Sequence, residues 1–263
     1  ESSCDWVNGS ERRQLRTAFG CLLQLQNSLD TRSFTLKFAR LQRLTKEKKI
    51  RNPISFPNIE SKEAPYELPE GWEFVRLGDC GYVLGGGTPN KSDAACWDGT
   101  IPWIRPKNMK VDYIADSQDY VSETALDKST VKLIPQNSLL MVVRGMILVH
   151  SFPTAITAAT VTINQDMKAL CPYVEDTTNY LLLATKGRKD DFLSLVERSS
   201  HGTCRLETSK LFSTVLALPP LAEQHRIVAK VDQLMALCDT LEQQIDAIAQ
   251  KQTALLNAVT AQL

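Results

Sequence analysis

The chain has 263 residues, with 30 Lys+Arg against 30 Asp+Glu and 43% hydrophobic residues, a composition that suits a folded globular protein and excludes a disordered one. No apolar run approaches the ~18 residues of a membrane span. The N-terminal residues lack a basic stretch ahead of an apolar core, so no secretory leader is expected. The seven cysteines (Cys4, Cys21, Cys80, Cys96, Cys171, Cys204 and Cys238) are never closer than 16 apart. That spacing excludes CxxC metal or redox pairs and points to reduced thiols in a cytoplasm.

The zero net charge hides a division. Residues 1–65 carry 12 basic and 7 acidic side chains (+5), residues 66–218 carry 15 and 18 (−3), and residues 219–263 carry 3 and 5 (−2). The basic excess concentrates in residues 37–51, which suit either a solvated helix face or a nucleic-acid contact. Residues 10–50 read as helix: Leu15, Leu22, Leu29 and Leu36 recur every seven positions, and Ala18, Leu25 and Ala39 form a companion seam that Arg32 interrupts. A polar stretch, residues 27–33, predicts a break. This N-terminal spacer helix region (1–51) stops before Pro53. Residues 52–70 hold Pro53, Pro57, Pro65 and Pro69 and predict an extended linker that packs against nothing.

Residues 71–218 change character. Short β-rich runs at 73–77, 101–105, 139–143, 159–163 and 212–218 alternate with turn chemistry such as Gly85-Gly86-Gly87-Thr88-Pro89 and Asp98-Gly99. Helices are expected at 122–128 and 179–186, the latter continuing towards Val196. The fold class is α+β, with many non-local strands. Residues 219–263 predict a long C-terminal spacer helix that starts after Pro219-Pro220. Val231, Cys238, Ile245 and Val259 form one seam, with Gln252 as the polar exception, and Leu234, Leu241, Ile248 and Leu255 form the other. A stripe this narrow needs a partner helix. The matching N-terminal stripe predicts an antiparallel coiled coil between the two ends of the chain; the alternative is a helix lying on the α+β domain.

Most candidate chemistry fails on inspection. Gly85–Ser92 resembles a phosphate loop, but Asn90 stands where Gly must precede Lys-Ser, and Pro89 removes a backbone donor. It reads instead as a glycine turn, or as a loop that lets backbone approach a DNA strand. His201 and Cys204 are spaced like two metal ligands, but nothing completes the set, so no metal is expected. GxSxG and HExxH are absent, as are the Phe-x-Gly-x-Gly and Asn/Asp-Pro-Pro-Tyr/Phe motifs of adenine methyltransferases, so no catalytic centre is expected. What remains is hydrogen-bonding residues at strand ends and turns: Gly87, Thr88, Pro89 and Lys91; Arg105, Lys107 and Asn108; Arg144; Asn164 and Gln165; and His201, Gly202, Thr203 and Arg205. Arg reads guanine bidentately and Asn or Gln reads adenine, so the set suits base readout. Lys91 and Lys107 suit phosphate; Arg105, Asn164 and Gln165 suit base edges. The competing reading is that Asn164 and Gln165 cap a turn and Arg105 pairs with a carboxylate such as Asp98.

Several longer stretches carry a resemblance. Tyr66-Glu67-Leu68-Pro69-Glu70-Gly71-Trp72-Glu73-Phe74-Val75-Arg76-Leu77-Gly78-Asp79, then Gly86-Gly87-Thr88-Pro89, Trp97-Asp98-Gly99-Thr100-Ile101-Pro102-Trp103-Ile104-Arg105-Pro106, Thr162-Ile163-Asn164-Gln165-Asp166-Met167-Lys168-Ala169-Leu170 and Leu218-Pro219-Pro220-Leu221-Ala222-Glu223-Gln224-His225-Arg226-Ile227 appear in an order that resembles a target-recognition domain, its late strand and its following helix in the specificity subunits of type I restriction–modification enzymes. The resemblance covers residues 36–263 and matches the C-terminal half of such a subunit. It implies a non-catalytic DNA-recognition role, reading one half of a bipartite target. It implies docking of the DNA methyltransferase (modification) subunit and the restriction subunit, with S-adenosylmethionine and ATP bound by those partners. A chain with one recognition domain raises the expectation of a homodimer. The alternative is a scaffold or inhibitory fragment that binds the methyltransferase without reading DNA. No membrane partner is expected.

Overall fold

The computed structural model describes residues 56–64, 66–198 and 202–260. The chain divides into two compact units, Glu1–Leu221 and Ala222–Leu263. The first is a mixed α+β domain. Its strands are β1 (Glu73–Arg76), β2 (Gly81–Gly85), β3 (Ile101–Ile104), β4 (Tyr113–Ile114), β5 (Tyr120–Val121), β6 (Leu139–Val142), β7 (Thr154–Thr157), β8 (Thr162–Ile163), β9 (Met167–Pro172), β10 (Val196–Arg198), β11 (Cys204–Leu206) and β12 (Val215–Leu218). Its short helices are α1 (Glu123–Lys128), α2 (Thr178–Gly187), α3 (Lys189–Ser194) and α4 (Thr208–Ser213).

The central sheet has the order β2-β9-β6-β7-β4, antiparallel except where β4 runs parallel to β7. Every residue of β6 and β7 is buried. A strand covered on both faces is uniformly apolar or neutral, which is why Leu139-Leu140-Met141-Val142 shows no alternation. The helix α2 packs on β6 and β7. A second sheet, β5-β3-β8, pairs β3 with β8 in parallel, Trp103 opposite Thr162 and Ile104 opposite Ile163. Beneath it Cys96, Trp103, Val121, Ala125 and Val131 form a cluster of buried side chains. The strands β1 and β12 join the two ends of the domain in register, Phe74 opposite Ala217.

The segment 56–64 corrects the expectation of an unpacked linker. The Phe56 ring occupies the space a side chain at Gly78 would fill. Arg76, 4% exposed, donates to the carbonyls of Pro57 (2.9 Å) and Ser213 (2.7 Å) and to both Glu63 carboxylate oxygens at 3.1 and 2.9 Å. A buried guanidinium must find such partners, and the linker backbone supplies them. The expected strand at 212–218 is shorter than predicted: Phe212 is buried in α4, and only Val215–Leu218 pairs. None of the described cysteines is in a disulfide: Cys80, Cys96, Cys171 and Cys204 are buried and Cys238 is exposed.

The second unit is helical. The helix α5 spans Leu221–Thr260, about 60 Å at ~1.5 Å per residue. Leu234, Leu241, Ile245 and Ile248 are 48–64% exposed, Cys238 is exposed and Val231 half-buried. Leu255 and Val259 belong to this helix. The partner seam predicted for it (Leu15, Leu22, Leu25, Leu29 and Leu36) lies outside the described residues. None of the described helices is long and apolar enough to cross a membrane.

Candidate nucleic-acid interface

The register of the sheets decides which loops meet. Antiparallel pairing sets the last residue of β2, Gly85, opposite Lys168, and the last residue of β6, Val142, opposite Met167. The ends of β2 and β6 and the start of β9 therefore share one edge of the central sheet. The parallel β3–β8 pair ends at the same place, because the turn 164–166 leads from β8 straight into β9. The amide of Asn164 donates to the Ile104 carbonyl at 3.0 Å, which sets Arg105 beside that turn. The amides of Val143 and Arg144 donate to the Asp166 carbonyl at 2.8 and 3.2 Å. The Gly145 amide donates to Cys204, and Arg144 bridges Arg205, so β11 continues the row. The result is one rim that gathers Thr88, Lys91, Arg105, Lys107, Gln165, Arg144 and Arg205 from five separate stretches of sequence.

At the centre of the rim is a cleft of about 590 Å³ lined by Thr88, Lys91, Trp97, Trp103, Arg105, Asp119, Asn164 and Gln165. Trp103 forms its floor: its indole donates to the Gly87 carbonyl at 3.0 Å, and Trp97 meets it edge-on with ring centroids 5.1 Å apart. The Arg105 guanidinium lies over Trp103, 5.3 Å from the ring centroid, and pairs with Asp119. A planar cation on an indole face gains from the ring quadrupole and is held flat. The turn that carries it is locked by Asn108, whose side chain accepts from the Arg105 amide at 2.9 Å. Lys107 donates to Gln118 at 3.1 Å and lies 3.7 Å from Asp119. Lys91 is exposed and has no carboxylate partner among the described residues. Gln165 is exposed and accepts from the Thr88 hydroxyl.

Three expectations change. Asn164 is 5% exposed, and its side chain is used within its own turn: the carbonyl oxygen accepts from the Asp166 amide at 3.1 Å and the amide group donates to the Asp166 carboxylate at 3.0 Å. It shapes the turn that presents Gln165 and does not itself face outward. The carboxylate beside Arg105 is Asp119, not Asp98. The glycines also serve the protein's own packing. A Cβ at Gly86 would strike the Ile163 and Asn164 backbone, one at Gly87 would strike Thr130, and the Gly87 amide and carbonyl are both engaged. Pro89 is buried. Gly202 has φ +80 and Thr203 is exposed, while His201 lies outside the described residues. The residues that sequence reasoning missed are Asp119 and Asp166, whose neighbours in sequence give no hint of the cations they meet. Among the described residues, no group of three or more His, Cys, Asp or Glu is arranged to hold a metal ion.

This chain belongs to the family described as the type I restriction modification DNA specificity domain, whose model matches residues 69–250. It is 36% identical over 170 residues to the Escherichia coli type I restriction enzyme EcoR124I/EcoR124II specificity subunit, an alignment covering 64% of this chain and 42% of that protein. It is 27% identical over 165 residues to the MjaIX specificity subunit of Methanocaldococcus jannaschii, covering 61% and 37%. The chain therefore spans about two fifths of the length of these curated relatives. The solved HsdS subunit from Thermoanaerobacter tengcongensis shares the fold, with TM-score 0.53 and 20% identity over 89% of this chain and 52% of that one.

Proposed function

We propose that this chain reads DNA sequence as part of a type I restriction–modification complex. It recognises one half of a bipartite target, docks the modification and restriction subunits and leaves methyl transfer and cleavage to them. In that arrangement S-adenosylmethionine and ATP are bound by the partner subunits. The observation that carries the reading is the convergence of Lys91, Arg105, Lys107, Arg144, Gln165 and Arg205 on one rim in a domain whose segment 66–218 is net −3. Bulk charge does not attract DNA to such a domain, so local cations must. Exposed Lys91 and Lys107 suit phosphate oxygens, which position without specifying; Arg105 and Gln165 suit base edges. Membership of the DNA specificity family supports the same reading. A second copy of the chain is a further proposed partner.

The test is to sequence the sites methylated when the full-length protein is expressed with its cognate modification subunit. Alanine at Arg105 is expected to alter or abolish the methylated target. Its melting temperature should stay nearly intact, because a partly exposed ion pair contributes about 1 kcal/mol or less. Alanine at Lys91 should weaken all sequences alike and reduce the salt slope by about one. A large melting loss with an unchanged target would make Arg105 structural and redraw the reading face.

A further inference from the structure

Two carboxylates stand inside the cationic rim. Asp119, 33% exposed, pairs with Arg105 and lies 3.7 Å from the Lys107 ammonium. Asp166, 25% exposed, accepts from Asn164 at 3.0 Å through one oxygen and lies 3.9 Å from the Arg144 guanidinium through the other. A surface selected for DNA affinity alone would omit them, because each repels phosphate and neutralises a cation that phosphate would otherwise attract. The edges of bases differ from the backbone in one respect. Cytosine N4 and adenine N6 are donors in the major groove, and a carboxylate accepts from them, whereas the phosphate backbone offers only acceptors.

We infer that Asp119 and Asp166 are specificity-determining positioning residues: Asp119 holds Arg105 as an oriented fork for a base edge, and each carboxylate keeps its neighbouring rim arginine off phosphate by its charge. The inference rests on the DNA-reading role proposed above and deepens it. The case is strongest at Arg105. Trp103 lies beneath it, Asp119 engages its Nη2, and its Nε is buried with no hydrogen-bond partner among the described residues. The guanidinium has five donors in a fixed plane, so fixing one end aims the rest. Guanine O6 and N7 are the acceptor pair that such a fork reads, and the paired cytosine N4 is the donor that Asp119 tolerates. Phosphate meets the same carboxylate as a repulsive neighbour, the kind of element that discrimination requires beside an attractive one.

The experiment compares wild type with Asp119→Asn and Asp166→Asn in the full-length protein bound to its cognate modification subunit. Asparagine keeps the shape and removes the charge, and the Asp166 backbone bonds to Val143 and Arg144 are unaffected. Two affinities are measured against salt: one for the methylated target duplex, one for a pool of random-sequence duplexes. Affinity for the random pool should rise by up to about tenfold at ~0.1 M salt, because one more cation is free to displace a counterion. The ratio of target to pool affinity should fall by about tenfold or more, and the methylated sites should become degenerate at one position. An unchanged ratio, or a parallel fall of both affinities together with the melting temperature, overturns the inference. Should one variant fail to fold, the other carries the same comparison. Failure of the underlying reading looks different: Arg105→Ala would then leave the methylated sequence unchanged.

Discussion

Asp79 lies in the short turn Leu77–Cys80 between β1 and β2, where burial lifts its carboxyl from the usual carboxylate range to about 6, against smaller opposing effects of a backbone hydrogen bond and the charge of Arg76. A carboxyl with a raised folded-state pKa favours folding only while protonated. That contribution is complete below the ordinary value near 3.8 and is lost as pH rises to about 6. At neutral pH the folded state therefore carries a partly desolvated carboxylate. Asp79→Asn keeps an acceptor for the Arg76 backbone bond and removes the charge. It should raise stability at pH 7 by roughly 1–2 kcal/mol, less than the full linkage value because Asp79 retains contact with solvent. The gain should vanish as pH falls from about 6 to about 4. Urea midpoints at the two pH values measure it, and equal gains at both would mean that Asp79 titrates normally. Glu63 tilts the profile the other way. The Arg76 guanidinium, and then the Glu60 amide, hold its carboxyl below the ordinary range, so its contribution is present at neutral pH and fades in acid as pH falls through that lowered value.

Among the elements, what the sequence reveals depends on whether the cause is local. The helix α5 follows from heptad spacing and a Pro-Pro start. The strands β3 and β6 follow from compact apolar runs, and α1 lies within a residue or two of its predicted bounds; the helix expected from 179 towards Val196 is divided at Arg188 into α2 and α3, and Val196 opens β10. The strand β2, Gly81–Gly85, is hidden because glycine at both ends reads as turn. Its glycine at 81 is required by the close approach of the β9 backbone at Cys171, which no local pattern records. The strands β4 and β5 have two residues each, too short for any period to show; β8, Thr162–Ile163, is the end of the run expected at 159–163; and the parallel pairs β3–β8 and β4–β7 arise from strands distant in sequence. The site divides in the same way. Which polar residues follow strands is legible, whereas their partners Asp119 and Asp166 are set by register alone. The Gly86 contact gives a test at this scale. A Cβ there meets main-chain atoms of Ile163 and Asn164, which yield only if the loop or β8 moves. Gly86→Ala should cost about 1–3 kcal/mol as an overpacked contact. It should also part the Thr88–Gln165 hydrogen bond and shift the methylated target. A stable variant with an unaltered target would show that the loop has slack.

For the whole molecule, the apolar stripe of α5 is the feature that a single recognition domain leaves unexplained. Leu234, Leu241, Ile245 and Ile248 are about half exposed or more over a 40-residue helix, and a continuous row of large aliphatic side chains marks a contact surface. Two covers fit its seven-residue period: the chain's own residues 15–50, with Leu15, Leu22, Leu29 and Leu36 in the same period, or a second copy of the chain. Both predict that Leu241→Asp buries an unpaired charge and lowers stability by several kcal/mol. They differ in how they respond to dilution. An intramolecular pair melts at a temperature independent of protein concentration and scatters light as a monomer. A dimer melts lower on dilution, shows twice the chain mass, and loses that mass in the Leu241→Asp variant. A dimer would also carry two copies of the rim related by a two-fold axis, and a two-fold protein reads a site with the same symmetry. The methylated sequence would then be two identical half-sites in inverted orientation, separated by a fixed spacer. Melting that ignores Leu241→Asp would mean that nothing covers the stripe in solution. A monomer at every concentration, with and without the modification subunit, whose melting temperature falls in the Leu241→Asp variant would assign the stripe to the chain's own N-terminal heptads.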